Sequence, residues 1–510
     1  MKYKINPKRA RASINPMIYG SFIEHHHRQV YGGIYDPKSK YADEDGFRGD
    51  VIEAIKQLKT PIIRWPGGCF VDDYHWKNGV GPNRIPSFDK NWKVEEPYTF
   101  GTDEFMKFCR KVGTEPYLCT NATATPEEAS EWVEYCNLES DGRYAKERIA
   151  NGYEKPWGVK YWSIGNENYY PFQVGGSDLD TWIRYSIQSA KVMKRVDPDI
   201  ELSVAMTMDN IDWSKRTLEA IGYQLNWVSL HGYWDFIYKG TLGFGSAQGL
   251  SVIQNTKNAG YEDCMKNVDK IPTTIDRMRG LLVATGFDKS IKIAFDEWNL
   301  RGWYHPYIME GHPNRKELYL PERDKNDDNS LYTMSDAIFS ACFLNECLRN
   351  ADIVGMANFS PLVNTRGAIF TYENGIVKRS TYHVFDLYMN HFGDDRVDIW
   401  TENPETYETG GAVCDVLDVA AAERTADGVY TVAVSNKDAD NNRYASFEFD
   451  EGFVPKSYSI YTVNGEDKYS YNDIGRDEIC ITKTSDNVAY VPDNEIRFAP
   501  HSVNIIEFYK

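Results

Sequence analysis

The chain of 510 residues lacks the marks of several large protein classes. Its nine cysteines are an odd number without a C-x-x-C pair, which argues against structural zinc and thioredoxin-like chemistry. Reduced thiols in a cytoplasmic protein are the expected state. No run of about 18 apolar residues occurs, so no segment is expected to span a bilayer. Residues 1–10 are basic but carry no apolar stretch of the signal-peptide kind. Positive charge is also short: 57 Lys and Arg against 75 Asp and Glu give a net charge of −18. That balance counts against nucleic acid and anionic membrane partners and is compatible with a neutral substrate. No internal repeat or low-complexity segment is present, and no G-x-G-x-x-G follows the first strand-like run, as a doubly wound dinucleotide fold would require.

What the chain does contain is eight β-prone runs, most of them followed by a helical stretch. They fall at 17–23, 61–65, 116–119, 159–164, 201–205, 227–230, 291–295 and 353–358. Helical periodicity appears between them, for example over 50–58, 102–112, 126–135, 179–196 and 335–348. Repeated strand–helix alternation predicts an α/β fold, a (β/α)8 TIM barrel over 17–385. Beyond it, short alternating runs separated by turn-formers predict a second, all-β sandwich domain over 386–510, completed by residues 1–16. The long stretches 236–266 and 302–331 are expected to shape a substrate cleft.

Two of the barrel runs end at a glutamate among polar and aromatic residues: Trp162-Ser163-Ile164-Gly165-Asn166-Glu167 and Phe295-Asp296-Glu297-Trp298. Carboxylates at the C-terminal ends of barrel strands sit where such barrels keep their reactive groups. Two of them suit glycosidic bond cleavage, one as proton donor and one as nucleophile or base. Asn166 can hydrogen-bond a sugar 2-hydroxyl, and His231 or Tyr233 can orient Glu297. Tryptophans near strand ends, among them Trp65, Trp76, Trp234, Trp298 and Trp303, suit the apolar faces of sugar rings. The triplet His25-His26-His27 could suggest a metal. On a strand, however, neighbours point to opposite faces, so at most His25 and His27 would converge.

These residues belong to a longer pattern. Glu24 with Tyr31-Gly32-Gly33-Ile34, then Arg64-Trp65-Pro66-Gly67-Gly68-Cys69, Asn166-Glu167, His231-Gly232-Tyr233, Asp296-Glu297-Trp298 and Met356-Ala357-Asn358 occur in that order. The set resembles glycoside hydrolase family 51, the α-L-arabinofuranosidases. The resemblance implies Glu167 as acid/base, Glu297 as nucleophile, and Glu24, Cys69, Asn166 and Tyr233 as contacts to the furanose. It also implies Trp76 near the cleft, no metal or cofactor in the chemistry, and a homo-oligomer, commonly a hexamer. The implied activity is retaining and exo-acting, releasing terminal α-L-arabinofuranosyl residues from arabino-oligosaccharides or arabinoxylan fragments. One departure stands out: where the family usually carries a sugar-binding glutamine after Met-Ala-Asn, this chain has Phe359-Ser360-Pro361-Leu362. It keeps open the same mechanism on another furanoside, a β-xyloside or a β-glucan. A catalytically dead carbohydrate-binding barrel is the alternative from another class.

Overall fold

The computed structural model describes residues 1–236, 260–302, 314, 316–409, 411–450 and 452–510. Eight parallel strands close into a barrel. In chain order they are β1 (Gly20–Phe22), β2 (Ile62–Trp65), β3 (Glu115–Thr120), β4 (Tyr161–Ile164), β5 (Glu201–Ala205), β6 (Trp227–Phe236), β7 (Lys292–Gly302) and β8 (Val354–Phe359). Each pairs with its neighbour in sequence, and β8 closes on β1.

The start of the barrel differs from the sequence reading. Residues Pro16–Tyr19 form a 3-10 turn rather than strand, leaving three residues for β1. Asn15 accepts from the Met17 N–H and Pro16 stands in the first position, which together nucleate a helical turn. At the other extreme, β6 and β7 continue well past the residues expected to end them.

The barrel interior is layered, and strand alternation sets the layers. Ile62, Tyr117, Tyr161, Trp227, Ala294 and Met356, one from each of six strands, form an apolar plug with Met17. Two residues further along the same strands stand Arg64, Cys119, Ser163, Ser229, Asp296 and Asn358, all buried and mostly polar. The apolar plug supports this polar layer, and the polar layer supports the site above it.

The second domain is a ten-stranded sheet. The N-terminal strand Lys2–Asn6 lies inside it, antiparallel to Asp395–Trp400 and parallel to Arg443–Phe449. The sheet closes on its own apolar core, in which Ile5 and Val397 meet Phe447, Phe498 and Phe508. Helix Ser380–His391 runs across position 385, and the sheet's first strand after the barrel begins at Asp395. Two barrel helices hold the domains together: Arg349, closing helix Met334–Arg349, pairs with Asp418, and His391 pairs with Glu507. Among the described residues no helix is long and apolar enough to cross a membrane.

Candidate active site

Glu167 and Glu297 reach the same space from opposite directions. An oxygen of each and a ring nitrogen of His231 all lie within 4.8 Å of one another. A local irregularity aims Glu297. Between Phe295 and Trp298, three steps of β7 face two steps of β8, and β7 is likewise one residue longer against β6 between Ala294 and Glu297. Such a bulge breaks the alternation of faces. It lets the consecutive residues Asp296 and Glu297 both project into the barrel. On the other side, Glu167 takes a left-handed backbone conformation, φ +47°, just past β4. Non-glycine residues rarely adopt it, and at functional sites the surrounding contacts sustain it.

Separate donors hold each carboxylate. The Arg64 guanidinium donates to Glu297 Oε1 at 2.6 Å and to Asn166 Oδ1 at 2.8 Å. The Tyr233 hydroxyl donates to Glu297 Oε2 at 2.7 Å and lies 2.8 Å from the Ser360 hydroxyl. Glu167 receives Gln173 Nε2 at 2.6 Å on one oxygen and faces His231 Nδ1 at 2.9 Å with the other. The same Gln173 amide reaches Cys69 Sγ at 3.2 Å. With its carbonyl taken by Arg64, Asn166 leaves a buried amide nitrogen that has no partner among the described residues. That donor is available to a sugar hydroxyl.

His231 is the charged centre of the cluster. Burial alone would lower its pKa. Glu297, Asp296 and Glu167 outweigh burial and push it up to about 10. Its Nε2 lies 3.3 Å from Asp296, an ion pair rather than an aligned hydrogen bond. As an imidazolium it carries protons on both nitrogens, so a metal ion at Glu167, His231 and Glu297, whose spacing would allow one, would have to displace a proton from it. Burial would raise Asp296, but Arg64 and His231 hold its carboxyl below the usual range. Cys69 is no nucleophile: burial, Glu24 and Glu167 push its thiol well above its ordinary value.

Glu24 behaves differently from the other acids. Its Oε1 accepts from the backbone N–H groups of Gly68 and Phe70 at 3.1 and 2.9 Å and from the Trp92 indole at 3.3 Å. Burial, followed by the charge of Glu297, still pushes its pKa up to about 8. Near neutrality Glu24 is therefore mostly protonated, a donor as well as an acceptor. As pH rises through about 8 it ionises and places a second negative charge beside Glu297. The expected result is an alkaline limb in kcat/KM near that pH, which Glu24→Gln should shift upward. Superimposable wild-type and variant pH profiles would assign the limb to another group.

The two glycines before Cys69 keep this wall thin. A Cβ at Gly67 would meet the Glu24 side chain at 2.3 Å, and one at Gly68 would stand 2.6 Å from Glu297 Oε1. Gly68→Ala should therefore displace the carboxylate and lower kcat/KM by about 10²-fold, the scale that roughly 1 Å of misplacement costs. An unchanged melting curve would show that the loss is local.

The structure thus gathers Glu24, Cys69, Asn166, Glu167, His231, Tyr233 and Glu297 at one end of the barrel. It does not bring Trp76 or Trp298 there. Trp298, next after inward-facing Glu297, points outward and stacks on Phe343 with centroids 3.8 Å apart. Trp76 is buried parallel to Trp132 and donates to the Glu128 carbonyl. Trp65 alternates with Arg64 in the same way and stacks on Phe105. Trp303 lies outside the described residues, as do 237–259, 303–313 and 315 of the stretches 236–266 and 302–331 expected to shape a cleft. The histidine triplet follows β1 rather than lying on it, and its rings diverge. His25 meets Glu96 at 2.9 Å, His27 meets Asp327 at 2.7 Å, and His26 packs on Trp92. Arg64, Gln173 and Asp296 are functional neighbours to which the sequence reading gave no role.

Comparison with known proteins agrees with this geometry. The model of the α-L-arabinofuranosidase 1 domain matches residues 54–236, and that of the α-L-arabinofuranosidase C-terminal domain matches residues 296–502. An α-L-arabinofuranosidase C of Emericella nidulans is 34% identical, over 94% of this chain and 92% of its own. An intracellular exo-α-(1→5)-L-arabinofuranosidase 1 of Bacillus subtilis is 35% identical, over 74% of this chain and 72% of its own. Among solved structures, an arabinose complex of the α-L-arabinofuranosidase of Thermotoga maritima is 32% identical. It covers 99% of both chains with a TM-score of 0.84.

Proposed function

The chain belongs to glycoside hydrolase family 51, the α-L-arabinofuranosidases, and from that membership we propose an exo-acting, retaining enzyme that releases terminal α-L-arabinofuranosyl residues from arabino-oligosaccharides or arabinoxylan fragments. The observation that carries the proposal is the approach of Glu167 and Glu297 to within 4.8 Å while each keeps its own donors. Retaining hydrolases hold their two carboxyl groups about 5–5.5 Å apart, whereas inverting ones leave about 6.5–9.5 Å for a water between them.

In the first displacement, a Glu297 oxygen attacks the anomeric carbon as the glycosidic oxygen takes a proton from Glu167. A glycosyl–Glu297 ester forms and the alcohol leaves. Arg64 and Tyr233 orient the nucleophile, and both hydrogen bonds are ones a carboxylate accepts. In the second displacement, Glu167, now ionised, takes a proton from water as the water oxygen attacks the same carbon. Glu297 leaves as a carboxylate. His231 suits the alternation, because its cation stands between the two acids and favours whichever is charged at that step. Asn166 offers its unpartnered amide to the 2-hydroxyl, a bond that strengthens as the ring becomes oxocarbenium-like. Asn166, Glu24 and Glu297 are each at most 4% exposed, which suits capture of one terminal sugar better than a grip on the middle of a polymer.

Gln173 braces the acid/base. Its amide bridges Glu167 and Cys69 from the loop after β4. The family match favours an arabinofuranoside over the other sugars left open. A panel of nitrophenyl glycosides tests it: turnover of the α-L-arabinofuranoside at least tenfold above the β-D-xyloside supports the reading, and the reverse order sinks it. Cytoplasmic action and homo-oligomeric assembly belong to the same proposal, and light scattering of the purified chain addresses the second.

A further inference from the structure

A second cavity, of about 380 Å³, opens between the barrel helices and the sandwich. Small-molecule sites occupy roughly 300–1,000 Å³. It shares no lining residue with the catalytic cluster.

The lining contains an unusual lysine. Lys437 is only 2% exposed yet lines the cavity. Among the described residues its ammonium has no carboxylate within ion-pair reach and no hydrogen-bond acceptor. Lysines are rarely buried this far unless paired, because an uncompensated ion loses its hydration. The two buried carboxylates of the lining, Glu346 and Asp418, are already engaged by Arg349. Arg349 donates to the Asp418 oxygens at 3.0 and 3.1 Å, to Glu346 at 3.1 Å and to the Val419 carbonyl at 2.6 Å. Asn345 adds a further donor to Asp418 at 2.8 Å. The remaining partner for Lys437 is water in the cavity or a guest that displaces it.

The rest of the lining narrows the chemistry. Exposed Asp269 and Asp415 add two carboxylates to buried Glu346 and Asp418, so four acids face two cations. That excess of negative charge repels an anion, while so many convergent polar groups disfavour an apolar guest. Half-buried Trp400 supplies an aromatic surface, with the Arg9 guanidinium 5.5 Å from its ring centroid. A neutral polyol meets all three conditions. Its oxygens accept from Lys437, its hydroxyls donate to carboxylates, and its C–H face rests on the indole.

We infer that this junction cavity is an accessory saccharide site for one or two sugar units, separate from the catalytic cluster. Only the choice of arabinose as first probe rests on the proposed function. The test is calorimetric titration of full-length Glu297→Gln protein with L-arabinose and arabinobiose, alongside glucose, xylose and xylobiose. Two binding events per chain are expected. Adding Lys437→Met or, separately, Trp400→Ala should weaken one event at least tenfold and leave the other. In the otherwise wild-type enzyme each change should keep kcat/KM on a nitrophenyl arabinofuranoside within twofold. Should Lys437→Met not fold, Trp400→Ala, at a half-buried residue on the end of its strand, carries the test. One event per chain with every sugar would overturn the inference, as would a second event unaltered by both variants or displaced by inorganic phosphate. A second event seen with xylose or glucose, in a protein that does not turn over arabinosides, would sustain the accessory site while removing the proposed substrate.

Discussion

Glu297→Gln lowers turnover of every glycoside by about 10⁴–10⁶-fold, the scale of loss when a coupled nucleophile is removed. A 10⁵-fold loss corresponds to about 7 kcal/mol of barrier. The amide keeps the shape of the side chain but is too poor a nucleophile to form the ester. Shape matters because Arg64 is fully buried and Glu297 is one of its carboxylate partners. Stripping a partner from a buried ion pair costs about 3–5 kcal/mol, so Glu297→Ala should lose stability as well as activity. Comparing the two variants separates the effects: both are inactive, and the alanine variant melts at a lower temperature. Substantial residual turnover in the glutamine variant, with native melting, would remove Glu297 from the nucleophile's role.

Glu167→Ala has the second largest effect, and its pattern is more informative than its size. Substrates with a poor leaving group need the proton and should lose about 10²–10⁴-fold in kcat/KM. A dinitrophenyl arabinofuranoside departs without one, so its first displacement should be nearly preserved. The ester then waits for a water that no base activates, and kcat falls at the second step. Azide, small and already anionic, needs no base and fits the space vacated by the carboxylate. It should restore turnover and yield an arabinofuranosyl azide. Equal losses on both substrates, with no azide product, would count against the acid/base assignment.

The order of the barrel strands and the positions of Glu167 and Glu297 were legible in the sequence because each rests on local chemistry. Apolar β-prone runs mark the strands, and polar residues at their ends mark the mouth. What could not be read was how far β7 runs and how it is distorted. The bulge that turns both Asp296 and Glu297 inward depends on pairing with β6 and β8. Trp298 was misjudged for a simpler reason. Alternation along a strand sends the residue after an inward glutamate outward, into the helical layer. That signal was available, and Trp65 after Arg64 repeats it. Trp76 gave no comparable warning, since its burial depends on stacking against a helix more than 50 residues away. Gln173 was hidden because loop residues carry no periodicity. Arg64 stood within a quoted motif, but its role appears only once Glu297, 233 positions distant, is beside it.

The central claim is that two carboxylates on opposite walls of one barrel carry out double displacement on a single furanose. Proton NMR of the sugar released in the first minutes of hydrolysis tests it most directly, before mutarotation mixes the anomers. The account predicts that arabinofuranose appears first with the same anomeric configuration as the substrate. First appearance of the opposite anomer would mean direct attack by water and would contradict it.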